Sequence, residues 1–167
     1  MGYSASQEGR AVEDVARILL VEDDPRDVEL TLEALGEHSL AGGVVVARDG
    51  AEALDYINKH GAFCERPDGY PRFILLDLNM PKVDGVEVAR RLKGDPQTRS
   101  IPIVILTSSC EPCDLDACYA CGVNAYVVKP VQFQDFLDAV RRLAHFWAIL
   151  NEPPLLYSVG ERPQPIP

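Results

Sequence analysis

Five short apolar runs, each stopped by a polar residue, constrain this chain more than any other feature of it. Residues 18–21 run into Glu22 and Asp23, 73–76 into Asp77, 103–106 into Thr107 and 126–128 into Lys129, while the run at 44–47 stops at Arg48. Continuous apolar runs of this length suit strands buried on both faces, as in a parallel sheet. Helical patterns alternate with them, at about 25–35, 51–59, from Asp84-Gly85 onward, at 113–121, and from Phe133 to Leu150. The order reads as (βα)5, an α/β doubly wound fold with right-handed crossovers and helices on both faces. In open α/β sheets, ligands bind beyond the carboxyl ends of the strands. Three acids, a hydroxyl and an ammonium would therefore collect at one crevice, although more than a hundred positions separate the first from the last.

That collection has a chemistry. Glu22, Asp23 and Asp77 would end adjacent strands, which lie about 5 Å apart. Two bare carboxylates at about 4 Å repel by roughly 4 kcal/mol at an effective dielectric near 20. A cation relieves this, and an open site of oxygen ligands selects Mg²⁺ or Mn²⁺ over zinc. Lys129 adds a second positive charge. The set suits phosphoryl transfer to a carboxylate, with the metal and the ammonium neutralising the equatorial oxygens. Asp77 is the nucleophile candidate because it ends the most apolar strand. Glu22, directly or through water, and Asp23 would hold the metal, and Thr107 would donate to a phosphoryl oxygen. Asp24 followed by Pro25 reads as a helix N-cap, and Asp84-Gly85 as a turn.

The net charge of −10 speaks against unspecific binding to DNA or to an acidic membrane surface. No run has the length of a membrane span, and the polar start of the chain resembles neither a secretory nor a transit signal. Five cysteines, four of them at 110, 113, 118 and 121, do not form a disulfide framework and place the chain in a reducing cytoplasm. The spacing of those four mimics a zinc knuckle. On a helix, however, Cys110 and Cys121 would stand about 16 Å apart, so small packed thiols are the preferred reading. The chain divides into a polar arm (1–16), one domain (17–150) and a proline-rich tail (151–167).

The stretches Ile18-Leu-Leu-Val-Glu-Asp-Asp24, Leu75-Leu-Asp-Leu-Asn-Met-Pro-Lys-Val-Asp-Gly85, Ile103-Val-Ile-Leu-Thr-Ser108 and Gly122-Val-Asn-Ala-Tyr-Val-Val-Lys-Pro130 resemble the receiver domain of two-component response regulators. The resemblance implies a flavodoxin-like sheet in the order 2-1-3-4-5, with Asp77 accepting a phosphoryl group from a sensor histidine kinase. It implies Mg²⁺ among Glu22, Asp23, Asp77 and the Asn79 carbonyl. Thr107, Ser108 and Lys129 would bind the phosphoryl group. Thr107 and Tyr126 would act as the switch of a surface made of helix four, strand five and helix five. It also implies a cis Lys129–Pro130 bond.

The long 61–72 loop, Phe146-Trp147 and Asn151-Glu152-Pro153-Pro154 are similar to single-domain regulators paired with phytochrome kinases. That implies a light-responsive kinase and a homodimer. Helix five adds its own argument for one. Phe133, Phe136, Leu137, Val140, Leu143, Ala144 and Trp147 share a stripe, while Phe146, Ile149 and Leu150 fall off it, which suits a homodimer through helices four and five and the tail. Two rival functions are a haloacid-dehalogenase-type phosphatase and a flavin-binding module. The phosphatase wants an acid two residues after its nucleophile, where Asn79 stands here. A flavin phosphate would meet the acids of 22–24.

Overall fold

The computed structural model describes residues 18–36 and 43–152. The predicted arm, the 37–42 segment and the tail beyond Glu152 lie outside the described residues. Five parallel strands form one sheet in the order β2-β1-β3-β4-β5. They are β1 (Ile18–Val21), β2 (Val44–Ala47), β3 (Phe73–Leu76), β4 (Ile103–Thr107) and β5 (Ala125–Val128). The helices are α1 (Pro25–Gly36), α2 (Gly50–Asn58), α3 (Gly85–Gly94), α4 (Pro112–Cys121) and α5 (Phe133–Ala144).

The three apolar runs that most resemble buried strands are the three central ones. Every residue of β1, β3 and β4 is buried, whereas β2 and β5, at the edges, are partly open. Alternation along each strand divides the core in two. Leu19, Val21, Ile74, Leu76, Ile103 and Ile105 pack with Ala53, Tyr56, Ile57, Val88, Ala89, Leu92 and Cys118 of α2, α3 and α4. Ile18, Leu20, Phe73, Leu75, Val104 and Leu106 pack with Val28, Leu35, Phe136, Leu137 and Val140 of α1 and α5.

Local chemistry starts and stops the helices where the chain leaves the sheet. Asp24 accepts the Arg26 amide at 2.8 Å ahead of Pro25 and so caps α1. Asp49 caps α2 through the Glu52 amide, and the Glu52 carboxylate answers with the Arg48 amide at 2.7 Å. Asp84 does more than turn the chain: its side chain accepts the Glu87 amide and caps α3. Gly122, at φ 92°, ends α4 by returning its amide to Cys118 and Tyr119.

The predicted fifth helix reaches Leu150, but its last six residues, His145–Leu150, are π-helical, and the Asn151 amide bonds back to the Phe146 carbonyl. Ala144 and Ala148 are buried, while Phe146, Ile149 and Leu150 are exposed, as the off-stripe reading expects. Phe133 departs from the stripe. It opens the helix and is 46% exposed. Arg72 at the base of β3 binds the Asn151 carbonyl at 3.2 Å and so ties down the chain leaving α5.

Candidate phosphoryl-transfer site

Strand register brings the scattered acids together. Val21 pairs with Leu76, so Glu22 and Asp77 leave adjacent strands at the same level, and the Asp77 amide donates to the Val21 carbonyl at 3.0 Å. Val128 pairs with Thr107, and the Lys129 amide extends that ladder to the Thr107 carbonyl at 2.7 Å. Glu22, Asp77 and Thr107 are buried. Carboxylate oxygens of Glu22, Asp23 and Asp77 lie within 4.8 Å of one another, and among the described residues they are the group able to hold a metal ion. The cysteines of 110–121 form no such group. Cys118 is buried against the sheet, and burial pushes its thiol up to about 11.

Gly85 is part of the same construction. A Cβ there would overlap the Asp77 carbonyl and stand 2.8 Å from the Leu78 Cα, so α3 can begin against the Asp77 backbone only without a side chain. The Gly85 amide donates to the Leu78 carbonyl at 3.0 Å, closing the turn that carries exposed Asn79.

Lys129, following β5, brings its ammonium to the acids. Its Nζ lies 2.7 Å from Glu22 Oε2 and 2.7 Å from Asp27 Oδ2, but 3.8 Å from Asp77 Oδ1. Burial works against the ammonium, yet the bonds to Asp27 and Glu22 and the field of Asp77 outweigh it and raise its pKa. Burial dominates at Glu22 and raises its pKa despite Lys129 and the Asp24 amide. Asp77 Oδ1 is buried and has no hydrogen-bond partner. An orphaned carboxylate oxygen in a native core is a functional signal, because such a group costs about 1–3 kcal/mol.

Sequence reasoning missed Asp27. It sits in the first turn of α1, where an acid reads simply as a partner of the helix dipole. Reasoning also missed Ser109. Its amide donates to Thr107 Oγ at 3.2 Å and its carbonyl accepts the Tyr126 hydroxyl at 3.1 Å. Thr107 and Tyr126 thus meet on one backbone unit of the β4–α4 loop. Exposed Ser108 lies between them in sequence. The implied cis Lys129–Pro130 bond is a correction: among the described residues there is no cis peptide bond. The two X–Pro isomers differ by only about 0.5–1 kcal/mol, and the trans form is the intrinsically favoured one.

The donor set fits a hard divalent cation: three converging carboxylates, one with an unsatisfied oxygen, and no sulfur or imidazole among them.

The domain as a whole resembles known proteins. The family model described as "Response regulator receiver domain" matches residues 18–141. Response regulator Rcp1 of Synechocystis sp. is 37% identical over 130 residues, 78% of this chain and 87% of that protein. The Mn²⁺-bound form of a response regulator Rcp1 has been solved. It superposes with a TM-score of 0.76 at 36% identity, covering 82% of this chain and 97% of that one. The phosphorylated cyanobacterial phytochrome response regulator RcpA gives a TM-score of 0.77 at 36% identity, over 82% of this chain and 96% of that one. The bacteriophytochrome response regulator RtBRR is 56% identical with a TM-score of 0.66, over 83% and 84%.

Proposed function

The chain belongs to the response regulator receiver family, and from that premise we propose that it accepts a phosphoryl group on Asp77 from a sensor histidine kinase in a reaction needing Mg²⁺ or Mn²⁺. The observation that carries this reading is the buried Asp77 oxygen without a partner, beside two carboxylates and within 3.8 Å of an ammonium. Glu22, Asp23, Asp77 and the Asn79 carbonyl would hold the metal, which supplies charge neutralisation for the acids and for the incoming phosphoryl group. An Asp77 carboxylate oxygen forms the new P–O bond as the P–N bond of the donor phosphohistidine breaks. The imidazole leaves with the bond pair and takes a proton from solvent.

Lys129 then faces the phosphoryl oxygens in a water-poor site, where an ammonium acts most strongly. Thr107 Oγ already accepts the Ser109 amide, so its proton remains for a phosphoryl oxygen. Drawing Thr107 toward the phosphoryl group would pull on Ser109 and hence on the Tyr126 hydroxyl. That route leads to the surface of α4, β5 and α5, the output face of this reading.

Leu115, Tyr119, Val128, Val131 and Phe133 are exposed on that face. They support a homodimer through α4 and α5, which light scattering with and without a phosphoryl analogue would test. A strictly monomeric species in both states would exclude it. The phytochrome regulators among its relatives support a light-responsive kinase as donor. Exposed free thiols at Cys64, Cys110 and Cys113 suit the cytoplasm, where such a kinase domain would act. The rival phosphatase reading has no support in the relatives, and exposed Asn79 stands where its proton donor would be. Phosphotransfer from a labelled histidine kinase with Mg²⁺ tests the proposal. Wild type should take up label and Asp77→Asn should not; label retained by Asp77→Asn would move the acceptor elsewhere.

A further inference from the structure

Lys129 is bound to two carboxylates, and neither is Asp77. At 3.8 Å the contact with Asp77 Oδ1 exceeds hydrogen-bond reach, whereas Glu22 and Asp27 are both at 2.7 Å. Asp27 is no member of the converging carboxylate group. Its backbone is set by the Asp24 cap and the turn of α1 that follows Pro25, so its side chain leans into the crevice from a rigid element. On the phosphoacceptor reading above, we propose that Asp27 is a positioning residue: it holds Lys129 in a berth away from Asp77, and Lys129 exchanges Asp27 for a phosphoryl oxygen when Asp77 is modified.

The argument is one of competing partners. An ammonium has three donors, and Glu22 and Asp27 take two of them in this state. A phosphoryl group on Asp77 places new anionic oxygens on the side of Lys129 that now meets only a distant carboxylate. Those oxygens compete with Glu22 and Asp27 for the ammonium, since a charge-assisted bond of about 2.8 Å to them is as favourable as either present one. Glu22 is itself a candidate metal ligand at the sheet end. Asp27, on α1 and outside that group, is the partner that Lys129 gives up on this proposal. Its carboxylate therefore opposes the phosphorylated state. One charge-assisted hydrogen bond is worth about tenfold or more in an equilibrium.

The experiment measures the affinity of beryllium trifluoride, a phosphoryl analogue, at saturating Mg²⁺. It is followed by NMR on wild type, Asp27→Asn, Asp27→Glu and the same Asn substitution in a Lys129→Met background. Asp27→Asn should bind roughly tenfold tighter, Asp27→Glu should return toward wild type, and the Asn substitution should have no effect once Lys129 is Met. Tightening is not what loss of structure produces, so a merely structural role for Asp27 predicts the opposite sign. Unchanged or weaker binding by Asp27→Asn overturns the proposal, as does a tightening that persists without Lys129. Absence of analogue binding by wild type would overturn the phosphoacceptor reading and this one with it.

Discussion

Asp77→Asn should make the metal-free protein more stable, because the residue that serves chemistry is poorly served by its surroundings. Asp77 Oδ1 lies 3.8 Å from Lys129 Nζ, an attraction of about 4 kcal/mol at an effective dielectric of 20. Oxygens of Glu22 and Asp23 within 4.8 Å each repel it by about 3.5 kcal/mol on the same scale. Halving the term for Asp23, the more accessible of the two, leaves repulsion ahead by about 1 kcal/mol. The unpartnered oxygen adds about 1–3 kcal/mol of lost hydrogen bonding, part of which an amide regains by donating to the neighbouring acids.

The net expectation is a gain of about 2 kcal/mol in urea unfolding with chelator present, or about 4–8 °C in Tm for a domain of this size. Saturating Mg²⁺ should narrow the gap, since the wild type binds the ion more tightly and gains by mass action, about 2.7 kcal/mol at a hundredfold excess over Kd. An Asn variant no more stable than wild type in chelator would refute the reasoning. So would a variant stabilised by Mg²⁺ as much as the wild type.

Gly85→Ala should destabilise by about 2–3 kcal/mol in the same assay, because the new methyl group meets the Asp77 carbonyl and the Leu78 Cα; a loss under about 0.5 kcal/mol would show that α3 can shift freely. Asp49 has a pKa lowered chiefly by its bond to Lys82, so its contribution is present above the usual value of 3.8 and fades as pH falls through the lower folded value. Asp49→Asn should therefore be less stable than wild type at pH 7 and converge with it in acid, and a pH-independent difference would exclude the ion pair as the cause. Iodoacetamide at pH 8 should label Cys64, Cys110 and Cys113 well before Cys118, which is buried with its thiol raised to about 11. Early labelling of Cys118 in the native protein would mean that α4 is not packed on the sheet as described.

The strands were legible because burial on both faces leaves a signature in single residues. β2 and β3 have the expected limits, and the acids at the ends of β1 and β3 meet because parallel register carries them to one edge. Asp84 was under-read as a turn, since the same residue type starts turns and caps helices and only the Glu87 amide distinguishes them. Asp27 was invisible for a related reason: an acid in a first helical turn needs no second explanation, and its bond to Lys129 spans 102 positions. The berth of Lys129 and the isomer of its bond to Pro130 depend on which of several close carboxylates and isomers wins by a kcal/mol or two, a difference that no local pattern encodes.

The most direct test of the central claim is to trap the modified residue chemically. After incubation with acetyl phosphate, borohydride reduces an acyl phosphate to the alcohol, and peptide mass spectrometry locates it. The reduced side chain should appear at Asp77, in the presence of Mg²⁺ and not in chelator. Reduction at another acid, or at Asp77 with no dependence on the divalent ion, would contradict the account.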